Sequence, residues 1–177
     1  WGVPYGIHIL GLSISDASLL IMYGLFGAMI GGPFIGWLTS RLNAIKKIYT
    51  LIHIIVFFSW IVLFLSGAKP PFIIVVVLLF IIGFGSGASS LTFAVVRESF
   101  PMKEVGVVTG FANMGGFLSA VLLPIVFGNI LDLFPQHSMN IGYHYGFTIP
   151  ILFSLMGFIG VLLIKEEKAK KTVLSAT

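Results

Sequence analysis

IYTLIHIIVFFSWIVLFL, residues 48–65, is the stretch that decides the fold class of this protein. Its 18 residues include no glycine, no proline and no side chain of Asp, Glu, Lys or Arg. A helix rises by ~1.5 Å per residue, so about 20 apolar residues cross a hydrocarbon core of roughly 30 Å. The stretch therefore predicts a membrane-spanning helix, and its uniform apolar surface is typical of a helix that faces lipid.

Four further apolar stretches have the length of a membrane span. They cover residues 19–38, 71–96, 105–130 and 147–164. Of the 177 residues, 58% are hydrophobic and 9% are charged, whereas a soluble domain carries about a quarter charged residues. The alternating strands of about ten residues that mark a membrane barrel are absent from the sequence. We therefore predict an all-α membrane protein with five complete transmembrane helices.

The beginning of the chain predicts part of a sixth helix. Trp1–Leu10 is apolar but too short to span a membrane, and it has neither an initiating Met nor the basic flank of a signal peptide. We interpret residues 1–12 as the outer part of a truncated helix. The chain is accordingly expected to be a fragment of a longer protein.

Basic side chains collect in alternate segments between the spans. Two loops, 39–47 and 97–104, and the tail 165–177 contain nine of the ten basic residues, and 66–70 and 131–146 contain only Lys69. Lys and Arg accumulate on the cytoplasmic side because their translocation is disfavoured. We therefore expect a multi-pass protein of the cytoplasmic (inner) membrane, in contact with lipid, with both basic loops and the C-terminal tail in the cytoplasm. The positive charge is a signal of topology, and nucleic acid is not an expected partner.

Glycine divides the spans into two kinds. Spans 19–38, 71–96 and 105–130 contain pairs of glycines four residues apart, a spacing that lets helix backbones approach closely. These pairs are Gly32 with Gly36, Gly83 with Gly87, and Gly106 with Gly110. Spans 48–65 and 147–164 are poor in glycine and are predicted to be peripheral.

Three stretches carry a family resemblance: GWLTSRLN at 36–43, RESFP at 97–101 and GVVTGFANMGGF at 106–117. Together they resemble the C-terminal half of a major facilitator superfamily transporter. The first is similar to the cytoplasmic signature of that family, Gly-x-x-x-Asp-Arg-x-Gly. Ser40 stands where the signature has Asp, and Asn43 stands where it has the second Gly.

The resemblance covers essentially the whole chain and implies a six-helix bundle. Residues 1–10 would be the outer part of the seventh helix of the family, and the five spans would be helices eight to twelve. Spans 48–65 and 147–164 then correspond to the peripheral ninth and twelfth helices. The partner implied for this half is the N-terminal half of the same protein, which lies outside the chain.

Neutral polar residues are the candidate solute-binding groups, since no Asp, Glu, Lys or Arg lies in the middle of a complete span. Asn113 and Phe117 share one helical face of span 105–130, and Ser86 and Ser90 share one face of span 71–96. The alternative for Asn113 is a bond that packs one helix on another. The alternative for the serines is a bond to a carbonyl of their own helix.

Tyr5 and His8 are the candidates on the truncated helix, because residues three apart face the same way. A histidine side chain can exchange a proton, which suits a role of His8 with solute or a coupling proton, although a structural hydrogen bond is the alternative. His53 is expected on a lipid-facing helix. His137 and His144 lack the spacing of metal ligands, and neither a metal nor a cofactor is expected.

Arg41 and Glu98 are candidates for gating. If the internal symmetry of the family holds, the loop after span 19–38 lies near the cytoplasmic end of span 71–96. The two opposite charges would then form a partly exposed latch that biases one conformation. The alternative is two solvated charges at helix ends.

These observations predict a secondary active transporter, not an enzyme, that moves a small solute by alternating access. The lack of a charge at mid-membrane favours a neutral or zwitterionic solute such as an amino acid, or an organic anion bound by basic residues of the other half. A proton symporter would carry its relay in the other half. The alternatives are a channel or scaffold subunit and an intramembrane serine hydrolase. GFGSG at 83–87 superficially resembles a serine nucleophile motif, but no mid-span histidine accompanies it as a base.

Overall fold

The computed structural model describes residues 1–164. All regular structure in that part of the chain is helical. The helices are α1 (Gly2–His8), α2 (Ile14–Leu42), α3 (Ile45–Leu65), α4 (Phe72–Ser86), α5 (Ser90–Ser99), α6 (Met102–Asp132), α7 (Met139–Gly146) and α8 (Thr148–Leu163), with 3₁₀ turns at Gly87–Ser89 and Gln136–Ser138. The predicted tail, 165–177, lies outside the described residues.

Within residues 1–164, five helical units are long and apolar enough to cross a membrane, which confirms the prediction of an all-α membrane protein. Two of them are composite: α4 and α5 run together as Phe72–Ser99, and α7 and α8 as Met139–Leu163. The last span therefore begins at Met139 and not at residue 147, because the aromatic residues before it pack inside the bundle. Tyr143 is one of them, and it is 1% exposed.

The first complete span also begins earlier than its apolar run. The hydroxyl of Ser13 accepts a hydrogen bond from the backbone N–H of Asp16 at 3.1 Å and caps the start of α2. Such a cap satisfies an amide that the first turn otherwise leaves unpaired. Helix α2 thus starts at Ile14, and its first turn carries an acidic residue at the end where the helix dipole favours one.

The tightest packing joins α2 to α4 through glycine. We define the α2–α4 seam as Gly24, Gly27, Gly31, Gly83 and Gly87. A Cβ atom on any of these residues would contact backbone atoms of the opposite helix, in four of the five cases at less than van der Waals distance. The predicted pair Gly83 and Gly87 does pack closely on α2. A Cβ on Gly83 would overlap Gly24, and a Cβ on Gly87 would overlap the backbone of Gly31 and Gly32. A Cβ on Gly32 or Gly36 itself would meet no atom within 4 Å.

Helices α3 and α8 pack along each other at one side of the bundle and leave an apolar face open. Leu51, Ile55, Phe58 and Val62 recur at alternating spacings of four and three on α3, and all are exposed. This periodicity defines the face of α3 that meets lipid. The opposite face of α3 contacts α8 and α4.

Candidate functional site

Helix α6 is exposed along most of its length. Asn113 is exposed, Phe117 is 72% exposed, and a Cβ on Gly106 or Gly110 would meet no atom within 4 Å. The packing predicted for this glycine pair is therefore absent within the half. The small residues and Asn113 form one stripe, because positions three and four apart lie on the same side of a helix. We call the stripe Gly106, Gly110, Asn113, Phe117 the α6 stripe.

The side-chain amide of Asn113 makes no hydrogen bond to another residue within 1–164. An amide at membrane depth is costly unless a donor and an acceptor pair with it. No hydrogen bond within residues 1–164 packs Asn113 against a neighbouring helix, so a solute-binding role and packing against other chain both stay predictions.

The hydroxyls of the two candidate serines donate hydrogen bonds to backbone carbonyls three residues earlier in the chain. The hydroxyl of Ser86 donates to the carbonyl of Gly83 at 2.6 Å, and that of Ser90 donates to the carbonyl of Gly87 at 3.0 Å. Both side chains are exposed. Each hydroxyl can still accept a hydrogen bond, so the serines offer acceptors.

Tyr5 lies in an aromatic cluster and not on an open surface. It is 4% exposed, its ring contacts those of Tyr143 and Phe147, and its hydroxyl donates to the carbonyl of Ala68 at 2.7 Å. These contacts tie α1 to the α3–α4 loop. His8, three residues later, is exposed and makes no hydrogen bond within the described part of the chain.

Arg41 and Glu98 are both exposed, and within residues 1–164 no ion pair joins them. The guanidinium of Arg41 instead lies over the indole ring of Trp37, 5.4 Å from its centroid. Such a cation–π contact is worth ~0.5–1 kcal/mol at an exposed site. The latch between Arg41 and Glu98 stays a prediction for another conformation of the intact protein.

The structure changes the placement of His53, which the sequence assigns to a lipid-facing surface. The imidazole is half-buried, and its edge packs against Gly157 of α8. Its Nδ1 lies 3.0 Å from the carbonyl of Tyr49, whose hydroxyl is 2.8 Å from Oγ1 of Thr92. The spacing of four between Tyr49 and His53 is the sequence signal that places both on one face of α3.

No hydrogen bond or ring contact among the described residues joins one candidate solute-binding residue to another. The candidates therefore lie as separate groups on the bundle. Those that stay exposed are His8, Ser86, Ser90, Asn113 and Phe117. The molecule so described is a polytopic membrane protein that leaves small and neutral polar residues of one long helix uncovered.

This chain belongs to the Major Facilitator Superfamily, whose family model matches residues 3–177. The transporter family inferred from the signature-like stretches is thereby confirmed. No solved structure gives a significant match to the chain.

Curated relatives are named as transport proteins. The probable galactarate/D-glucarate transporter GudP of Escherichia coli strain K12 is 29% identical over 140 residues, which cover 74% of this chain and 30% of that protein. The inner membrane transport protein YdiM of the same organism is 27% identical over 177 residues, or 97% of this chain and 40% of YdiM. The probable nitrate/nitrite antiporter NarK1 of Thermus thermophilus is 27% identical over 143 residues, or 72% of this chain and 32% of NarK1. The chain thus spans less than half the length of these relatives.

Proposed function

We propose that this chain is the C-terminal half of a secondary transporter, and that the rest of a longer protein supplies the N-terminal half. The observation that carries the proposal is the α6 stripe, in which Asn113 is exposed and has no hydrogen-bond partner within the half. A second half placed against the stripe would enclose a cavity lined by a neutral amide, small residues and one phenyl ring. Transporters hold their solutes in such a cavity near mid-membrane, between two halves.

The bundle combines the closely packed α2–α4 seam with the open glycines of α6, and this combination suits alternating access. The α2–α4 seam brings backbone against backbone, so these two helices move as one body. The open glycines of α6 leave room for solute or for the other half to approach and withdraw. Solute would then pass from one side of the membrane to the other by a rocking motion of the halves, chemically unchanged.

The substrate class that we favour is an organic anion with hydroxyl groups, such as a sugar diacid. The relative GudP is named as a probable galactarate/D-glucarate transporter, and NarK1 is named as a probable nitrate/nitrite antiporter. Asn113 both donates and accepts hydrogen bonds, which suits hydroxyl groups. Carboxylates need cations, and no Lys or Arg lies mid-span in this half. Basic residues of the other half would bind them, and a coupling proton would be carried there as well.

Cells that produce the intact protein containing this chain are expected to accumulate radiolabelled D-glucarate. A tenfold excess of unlabelled galactarate should suppress the uptake, because both molecules present two carboxylates and a row of hydroxyls. The same excess of alanine should not. Competition by alanine but not by galactarate would contradict the anion assignment and support the amino-acid alternative.

We propose that the bundle is oriented with both basic loops and the tail in the cytoplasm of a cell with an inner membrane. The basis is the unequal distribution of Lys and Arg between alternate loops. At this end of the bundle, the ammonium of Lys46 donates a hydrogen bond to the carbonyl of Ile164 at 2.5 Å and so joins α3 to the end of α8.

A reporter enzyme that is active only in the cytoplasm tests this orientation. Fused after Lys171 it should be active, and fused after His137, in the turn between α6 and α7, it should be silent. Comparable production of the two fusions is the control, measured with an antibody to the reporter. The opposite pattern of activity would refute the orientation.

A further inference from the structure

A cavity of about 320 Å³ lies between α3, α4–α5 and α8, apart from the α6 stripe. We call it the lateral pocket. Its apolar wall includes Ile52, Val56, Ile82 and Phe153. Its polar groups come from Tyr49, His53, Ser86, Ser89, Thr92 and Ser154, so one candidate from the sequence, Ser86, lines this pocket. Its volume falls within the range of small-molecule sites. None of the residues that line it belongs to α6.

The polar groups of the lateral pocket differ in how many of their hydrogen bonds are already made. The hydroxyls of Tyr49 and Thr92 pair with each other, and that of Ser154 donates to the carbonyl of Ile151 at 2.9 Å. His53 differs, since only its Nδ1 has a partner, the carbonyl of Tyr49. A carbonyl can only accept, so Nδ1 carries the proton of the neutral ring and Nε2 is left as an acceptor.

Nε2 of His53 has no hydrogen-bond partner within residues 1–164, and it is not among the fully enclosed side-chain atoms. The hydroxyl of Ser89 is likewise exposed and unpaired in that part of the chain. Both groups line the lateral pocket at the depth of the membrane spans. An unpaired polar group at this depth favours any molecule that supplies the missing hydrogen bond.

The lining residues also exclude a charged ligand. No Asp, Glu, Lys or Arg lies among them, and a charge placed without a partner beside an apolar wall would lose its hydration. A sugar diacid or nitrate would therefore not bind here. The pocket suits an uncharged molecule with an apolar body and one hydroxyl or N–H group that donates to His53.

We propose that the lateral pocket is a second binding site, separate from the α6 stripe, for a small uncharged amphipathic molecule of the alcohol or phenol class. The apolar body lies against Val56 and Phe153, and the hydroxyl donates to Nε2 of His53. Because the pocket is bounded by both peripheral helices, an occupant contacts the α3–α8 pair and α4–α5 at once. Binding at this site does not depend on which solute the transporter carries.

Fluorine NMR on the intact protein in lipid nanodiscs tests the proposal with 4-(trifluoromethyl)benzyl alcohol as the probe. The wild type should show saturable binding above the background of empty nanodiscs. His53→Phe should weaken it about fivefold or more, because the hydrogen bond is lost while an aromatic ring remains. Ser154→Leu should abolish it by filling the cavity with an isobutyl group, and it removes no bond between helices.

The matched control is Phe58→Leu on the lipid face of α3, where the side chain is 56% exposed, and it should bind the probe as the wild type does. 4-(Trifluoromethyl)toluene, which lacks the hydroxyl, should bind the wild type and His53→Phe equally and weakly. Equal binding of the alcohol to the wild type and to Ser154→Leu would show that the alcohol only partitions into lipid, and it would contradict the proposed site. Binding that Ser154→Leu abolishes but His53→Phe leaves unchanged would overturn the assigned role of His53.

Discussion

Gly83→Ala is expected to destabilise the intact protein by about 3 kcal/mol or more, or to prevent its folding. A Cβ at this position would overlap the backbone carbonyl of Gly24 on α2. Overpacking a core usually costs ~1–3 kcal/mol because side chains adjust, but here the obstructing atoms belong to the backbone. Relief requires α2 and α4 to separate, which also disrupts the contacts of Gly27 and Gly31 along the same seam.

Thermal unfolding in detergent, followed by tryptophan fluorescence and size-exclusion chromatography, measures this effect. Gly160→Ala on the peripheral helix α8 is the matched control, because a Cβ there would meet no atom within 4 Å. Alanine also has the higher helix propensity, so this variant should be unchanged or slightly more stable. Equal midpoints of unfolding for Gly83→Ala and the wild type would show that the α2–α4 seam is not as close as described.

The glycine pattern illustrates what the sequence could and could not predict. Spacing of four indicates that a helix can approach a neighbour closely, but it does not say which neighbour. Gly83 and Gly87 do pack closely, on α2, whereas Gly106 and Gly110 are open in this half. The existence of the spans was predictable because length and hydropathy alone define them. The choice of partners depends on tertiary packing, which the spacing of glycines does not specify.

His53 is a second case in which the sequence does not predict the neighbours of a residue. Helix α3 has apolar residues on every face, and the spacing of Tyr49 and His53 is only a weak signal for its rotation in the bundle. The structure places Ile55 and Phe58 toward lipid and turns His53 toward α8. Tyr5 is buried partly by its ring contact with Tyr143. The sequence suggests that the segment around Tyr143 is a loop, but this segment forms helix α7. The sequence identifies Asn113 as a candidate solute-binding residue because it is a polar residue on an otherwise small and apolar stripe.

The second large effect concerns the α6 stripe, and it follows from the absence of cysteine in the 177 residues. Single cysteines at Gly110, Asn113 and Phe117 should react with a membrane-impermeant maleimide in at least one conformation, because water must reach the solute path. Cysteines at Phe58 and Val62, on the lipid face of α3, should label only at a slow background rate. All variants are made in the intact protein, with any cysteine elsewhere replaced by serine, since an isolated half would expose the stripe artificially.

Labelling of Asn113→Cys with and without transported solute tests the central claim most directly. If the α6 stripe lines the solute path, the variant should label rapidly, saturating solute should slow the labelling at least tenfold, and transport should fall. Solute should leave the slow background labelling of Phe58→Cys unchanged, which separates protection at the site from a general effect on the reagent. If Asn113→Cys neither labels in any conformational state nor lowers transport, Asn113 only packs the two halves together and the proposed solute path is wrong.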